Sequence, residues 1–130
     1  MNFLNELHIR NEEAIELPDW LVGDKEEALC NGIRHCEWIY INENVALSIQ
    51  ASPFHYCTPK KLVPLEEYTE FELAIIIDGC INGEIEDLDK LFSSFSRYKE
   101  LIDCLEYQVF AYVDKELIND FYIFCKENLQ

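Results

Sequence analysis

Positive charge is what this sequence has least of: 10 Lys and Arg stand against 26 Asp and Glu, a formal net charge of −16. Such a chain is a poor match for a nucleic-acid backbone, whose condensed counterions are displaced by cationic side chains. It is also repelled by anionic lipid surfaces. Breaks are scarce too. Four Gly and four Pro in 130 residues leave no linker, repeat or low-complexity tract, so residues 1–130 are expected to form a single domain. No apolar run is longer than Leu73 to Ile77, far short of a bilayer span. The opening segment Met1-Asn-Phe-Leu-Asn-Glu-Leu has neither the basic nor the long apolar region of a signal peptide. A cytoplasmic location is the expectation.

Motifs that carry chemistry are missing as well. There is no Gly-x-x-x-x-Gly-Lys loop, Gly-x-Gly-x-x-Gly turn, Gly-x-Ser-x-Gly elbow or His-Glu-x-x-His helix, each of which places reacting groups at a fixed spacing. Cys30, His35, Cys36, His55 and Cys57 are the residues that could gather around zinc, but Cys-x5-Cys and His-x-Cys are not the short Cys-x2-4-Cys pairs of structural zinc sites. Asp78 to Asp89 has the length of a calcium loop with Gly83 sixth, yet Cys80 occupies the third, ligating position, so calcium is rejected. No metal and no cofactor is expected. The six cysteines, at 30, 36, 57, 80, 104 and 125, read as reduced, core-type residues. Phe54-His55-Tyr56-Cys57-Thr58-Pro59 is the single cluster with nucleophile chemistry, a thiol and an imidazole two residues apart. The competing reading has Phe54 and Tyr56 anchoring this loop to the core while His55 hydrogen-bonds the backbone, and it is favoured because i and i+2 do not meet edge to edge on an extended segment. His8 and His35 have no catalytic motif around them, and Trp20 and Trp38 read as core or edge packing. Arg10, Arg34 and Arg97 are the arginines on hand for an anionic small molecule.

Against these absences stands ample core material: 49% apolar residues, with eight Phe, seven Tyr and two Trp. Phe3 to His8 suggests a short helix or an edge segment, and Ala14 to Leu17 an edge strand stopped by Pro18. Asp24 and Glu27 form a capping box for a short helix through Asn31, with Gly32 behind it. Glu37 to Ile41 and Val45 to Ala51 read as a hairpin about Asn42-Glu43-Asn44, with Val45, Leu47, Ile49 and Ala51 facing the core. Ser52 to Pro64 reads as a loop. Phe71 to Asp78 predicts a central strand, ended by the turn pairs Asp78-Gly79 and Asn82-Gly83. Helical spacing runs from Leu88 to about Leu105, with Ser93, Ser94 and Ser96 as a break point. Tyr107 to Val113 predicts a further strand, and Asp114 caps a final helix with Leu117, Ile118, Phe121, Phe124 and Cys125 on one face. The expected fold is α+β: an antiparallel or mixed sheet of about four to five strands, helices on one face, and a C-terminal amphipathic helix.

The acids are unevenly placed. Residues 1–65 hold ten acids and five bases, whereas residues 66–130 hold sixteen and five. Glu66, Glu67, Glu70, Glu72, Asp78, Glu84, Glu86, Asp87 and Asp89 lie between Leu62 and Asp89 with no base among them. The bland account is a solvated face, yet solubility asks for a net charge of only about 2 to 8. The functional account is phosphate mimicry, in which carboxylates on a rigid scaffold occupy Arg and Lys positions kept for a nucleic-acid backbone. Glu70 and Glu72 on one strand face are expected about 7 Å apart, comparable with phosphates that rise roughly 3.4 Å per nucleotide along the axis. Such an interface weakens with salt. Glu66, Glu67, Glu70, Glu72, Glu84, Glu86, Asp87 and Asp89 are the expected partner-binding residues.

Val45-Ala-Leu-Ser-Ile-Gln-Ala-Ser-Pro-Phe-His-Tyr-Cys-Thr-Pro, Tyr68-Thr-Glu-Phe-Glu-Leu-Ala-Ile and Ala111-Tyr-Val-Asp-Lys-Glu-Leu-Ile resemble small proteins carried by phages of low-GC Gram-positive bacteria. The resemblance implies a context in which acidic inhibitors of host defence, some of them DNA-like, are frequent. The expected function is therefore a non-enzymatic, anti-CRISPR-like inhibitor of a basic nucleic-acid-handling protein such as a host nuclease. Two alternatives stand beside it. One is an immunity or antitoxin protein that neutralises a cationic nuclease toxin; the other is a nucleotide-binding sponge or small enzyme using the His55–Cys57 loop.

Overall fold

The computed structural model describes residues 2–10, 35–53, 55–61 and 63–129. The strand expected at Ala14 to Leu17 and the capped helix from Asp24 lie outside them. A 3-10 turn, Phe3–Glu6, opens the chain, with the Asn2 side chain accepting from the Leu4 N–H. Strand β1 (Ile9–Arg10) pairs antiparallel with β2 (His35–Cys36). The main sheet holds β3 (Ile39–Tyr40), β4 (Val45–Gln50), β5 (Glu70–Ile77), β7 (Leu105–Glu106) and β8 (Val109–Asp114) in the order β3-β4-β5-β8-β7, with β6 (Cys80–Ile81) paired to β5. Every pairing is antiparallel. Helices α1 (Ile85–Phe92), α2 (Tyr98–Ile102) and α3 (Lys115–Asn128) complete an α+β fold. Among the described residues no helix is long and apolar enough to cross a membrane.

The alternation along β5 decides which face the helices cover. Phe71, Leu73 and Ile75 enter the main core together with Val45, Leu47, Ile49 and Ala51 of β4 and the segment after it. Leu88 and Phe92 of α1, Leu101 of α2, and Leu117, Ile118, Phe121, Tyr122 and Cys125 of α3 close that core from the other side. Burial pushes the Cys125 thiol pKa far up, as befits a thiol used as a small hydrophobe. Asp114 caps α3, accepting from the Glu116 N–H at 2.9 Å and the Leu117 N–H at 3.3 Å. Asn42 fixes the β3–β4 turn by accepting from Asn44 and Val45, and its amide donates to the Leu129 carbonyl at 2.8 Å, tying the hairpin to the end of α3.

Three expectations shift. The main sheet has six strands rather than four or five, because two-residue β6 and β7 pair onto longer neighbours. Asp78 and Gly79, at φ 53° and 82°, end β5 but also reverse the chain directly into β6, as a two-residue hairpin with two left-handed positions does. Helical spacing counted Leu105, yet α2 stops at Ile102 and Leu105 pairs with Phe110 in β7. The break at Ser93–Ser96 appears where it was expected, between α1 and α2.

Gly83 holds the segment before α1 against the β7–β8 turn. A Cβ there would sit 2.8 Å from Gln108 Cα and 2.9 Å from the Tyr107 carbonyl oxygen, both backbone atoms that have no rotamer to yield. Gly83→Ala is expected to cost about 1–3 kcal/mol, read as a lower urea midpoint. A loss within about 0.5 kcal/mol, the range of ordinary surface changes, would show that the turn gives way freely.

Candidate functional site on the outer face of the sheet

The sheet face turned away from the helices carries the exposed aromatics. Ile39 and Ile41 are buried in the main core, so alternation turns Trp38 and Tyr40 to the opposite side, where they are 39% and 64% exposed. Their ring centroids are 6.3 Å apart. Tyr40 faces Ala46 across the β3–β4 pair. Beside the two rings lies a cavity of about 610 Å³ whose lining includes His35, Trp38, Tyr40, Gln50, His55 and Glu72.

Hydrogen bonds fix one wall of this cavity. Gln50 is buried and acts as a substitute strand: its Oε1 accepts from the Cys36 N–H at 2.7 Å and its Nε2 donates to the Cys36 carbonyl at 2.8 Å. Nε2 also donates to Ser48 Oγ at 3.0 Å. His55 Nδ1 lies 2.7 Å from Ser52 Oγ, and the His55 ring meets His35 edge-on at 5.3 Å.

A second aromatic group sits at the β8 side. Between Phe71 and Leu73 the register of β5 against β8 slips by one residue, so β8 carries an extra residue there. Tyr112, in this stretch, has φ 52°, an outlier for a bulky side chain. Its N–H donates to the Tyr56 carbonyl at 3.0 Å and its ring packs on Tyr56 at 5.8 Å. Lys60 Nζ stands 5.4 Å from the Tyr56 ring and 5.9 Å from that of Tyr112, a cation–π arrangement. Tyr107, at φ 59° in the β7–β8 turn and 91% exposed, lines a cavity of about 250 Å³ with Tyr56, Glu106, Ala111 and Tyr112.

The acids expected to bind a partner divide into two kinds. Glu70 and Glu72 do share a face of β5, the outer one, but both hold the loop beside them. Glu70 Oε1 accepts from the Thr58 hydroxyl at 2.5 Å, and Glu72 Oε2 accepts from the Tyr56 N–H at 2.9 Å. On α1, Asp87 accepts from Asn82 and Asp89 from the Tyr98 hydroxyl; burial, with Asp89 behind it, pushes the Tyr98 phenol pKa far up. Glu66 and Glu67 lie on the 3-10 turn Leu65–Glu67, and Glu84 and Glu86 at the start of α1, all four exposed. Glu84, Glu86 and Asp87 complement the positive end of the helix dipole, so part of the acidic run has a structural use. Among the described residues Arg97 pairs with Glu100 at 2.6 Å and Asp120 at 2.7 Å, and these contacts, Asp120 foremost, raise its pKa.

The His55–Cys57 loop turns inward rather than presenting a nucleophile. Cys57 is fully buried, and its thiol, with one S–H to donate, lies 3.2 Å from the Ser52 carbonyl and 3.5 Å from the Pro59 carbonyl. His55 is nine-tenths buried and bonds the Ser52 hydroxyl, not the backbone alone. Tyr56, expected to anchor the loop in the core, is 44% exposed and stacks on Tyr112 instead; among the described residues of Phe54–Pro59, Cys57 is the one in the core. Phe54 and Cys30 lie outside the described residues. Among the described residues no group of three or more His, Cys, Asp or Glu is placed to hold a metal, and Cys36, Cys57, Cys80, Cys104 and Cys125 are in no disulfide.

Sequence reasoning missed Tyr40, Tyr107 and Tyr112 as surface groups, along with Gln50 as the pin between β2 and β4. The Trp38-Ile-Tyr-Ile alternation was the signal for the first of these; the others depend on register and had none. Comparison with known protein families, with curated proteins and with solved structures gives no match.

Proposed function

We propose that this protein is a non-enzymatic acidic inhibitor acting in the cytoplasm, which binds a basic nucleic-acid-handling protein in place of that protein's nucleic acid. The supporting observation is the state of the carboxylates. With 26 acids against 10 bases, Glu66, Glu67, Glu84 and Glu86 stand exposed, and none of their carboxylates makes an ion pair or hydrogen bond among the described residues. Carboxylates left unpaired on a sheet-and-helix scaffold offer a basic surface charge complementarity with no existing partner to displace. The long-range field of such a surface also speeds encounter with a cationic groove.

The test is capture of partners from host lysate on the immobilised protein, eluted across a salt gradient. A basic, nucleic-acid-handling protein is expected, released at modest salt and displaced by heparin, since both act on exposed charge pairs. Capture that ignores salt and heparin, or no basic partner at low salt, would overturn the proposal.

A further inference from the structure

We propose that the cavity between Trp38, Tyr40 and Glu72 is a receptor for an arginine side chain, presented by the basic partner inferred above. Only the source of the arginine rests on that reading; the cavity is argued from its own chemistry. Its volume of about 610 Å³ lies within the range of small-ligand sites and accepts a guanidinium together with the peptide that carries it. Trp38 and Tyr40 supply two partly exposed rings 6.3 Å apart, and a guanidinium stacks on such faces. Glu37 and Glu72 supply carboxylates, and among the described residues no Lys or Arg is in the lining.

Among the described residues the hydrogen bonds already made use up the Gln50 amide and leave one oxygen of Glu72 over. Both donors of Gln50 Nε2 are spent, on the Cys36 carbonyl and on Ser48 Oγ, and Gln50 Oε1 already accepts from Cys36. Glu72 Oε2 is held by the Tyr56 N–H, which fixes the carboxylate while Oε1 keeps its lone pairs for a second donor. A wall that sets carboxylates beside ring faces selects a ligand that is positively charged and brings N–H donors. It disfavours phosphates and carboxylates. A guanidinium brings five donors in a planar fork, whereas the lysine ammonium is a compact, strongly hydrated charge that stacks less well. The overall charge of −16 raises the local concentration of any cation near the face.

The experiment titrates the full chain with N-acetyl-arginine methylamide and follows the Trp38 indole N–H by NMR, its peak identified by its loss in Trp38→Phe. N-acetyl-citrulline methylamide, nearly the same shape without the charge, is the control. Arginine is expected to give a saturable shift with a dissociation constant of about 1–10 mM, and citrulline to bind at least about tenfold more weakly. Tyr40→Ala, at an exposed edge position, and Glu72→Gln, which keeps the shape and an acceptor for the Tyr56 N–H, should each weaken arginine by about threefold or more. An absent or unsaturable shift, or an equal response to citrulline, overturns the assignment even where a basic partner has been captured from lysate. A saturable, charge-dependent response supports it even where none has.

Discussion

Phe121→Ala is expected to remove about 3–5 kcal/mol of stability, the cost of deleting a fully enclosed aromatic from a core that cannot collapse around the gap. Phe121 is completely buried, and its ring meets Phe92 of α1 at 5.1 Å and Phe95 of the α1–α2 link at 5.4 Å. It therefore joins α3 to α1 and to the link that follows α1, on the covered face of the sheet. A domain of this kind holds about 5–15 kcal/mol in total, and the self-repulsion of a −16 chain draws on the same margin. Phe124 provides the comparison. It lies one turn further along α3, is only partly buried, and packs on Phe95 at 5.3 Å, so Phe124→Ala is expected to cost about half as much or less. Urea unfolding reads both, as a shift in midpoint at constant slope. Equal costs for the two would mean that the cluster relaxes as a unit and that Phe121 is not its keystone.

That contrast shows where sequence reasoning reaches its limit. Phe121 and Phe124 share a helical face at the level of spacing and both pack on Phe95, and it is the further contact with Phe92 that marks the sealed ring. Local rules fared well where the cause is local. Asp114 caps α3 because its oxygen reaches N–H groups two and three residues on, and the apolar run from Leu73 to Ile77 falls in β5, the middle strand of the order β3-β4-β5-β8-β7. They failed where the cause is a pairing register. Leu105 continues the helical count, yet its pairing with Phe110 places it in β7. Tyr112 turns outward because β8 carries one residue too many against β5, and no single-strand pattern contains that fact. The acidic bias was legible from composition; its division was not, because Glu70 and Glu72 acquire their partners only when the loop at Tyr56–Thr58 folds back beside β5.

Reversing Glu66, Glu67, Glu84 and Glu86 to Lys is expected to slow association with the captured basic partner by about 10- to 1000-fold at low salt, the range that electrostatic steering spans. Each reversal adds two positive charges, so the four take the net charge from −16 to −8. These positions follow from the structure and replace the more obvious set. Reversing Glu70 and Glu72 alters the fold as well as the field, since it removes the acceptors for the Thr58 hydroxyl and the Tyr56 N–H and frees the loop that carries Tyr56. By contrast, Glu66, Glu67, Glu84 and Glu86 are exposed, and their stability cost is confined to the helix dipole at the start of α1. That cost is about 0.3–1 kcal/mol per charge at Glu84 and Glu86, offset by relief of repulsion across the whole chain. The fourfold variant should therefore unfold in urea close to the parent, while its association rate falls and loses most of its salt dependence. Stopped-flow association at two salt concentrations separates the outcomes. A parent-like rate in a folded variant would take the exposed carboxylates out of the interface and leave the aromatic outer face to carry binding. A slow rate that high salt restores toward the parent's own high-salt value would place these four charges in the encounter, where steering acts, and not in the final contact.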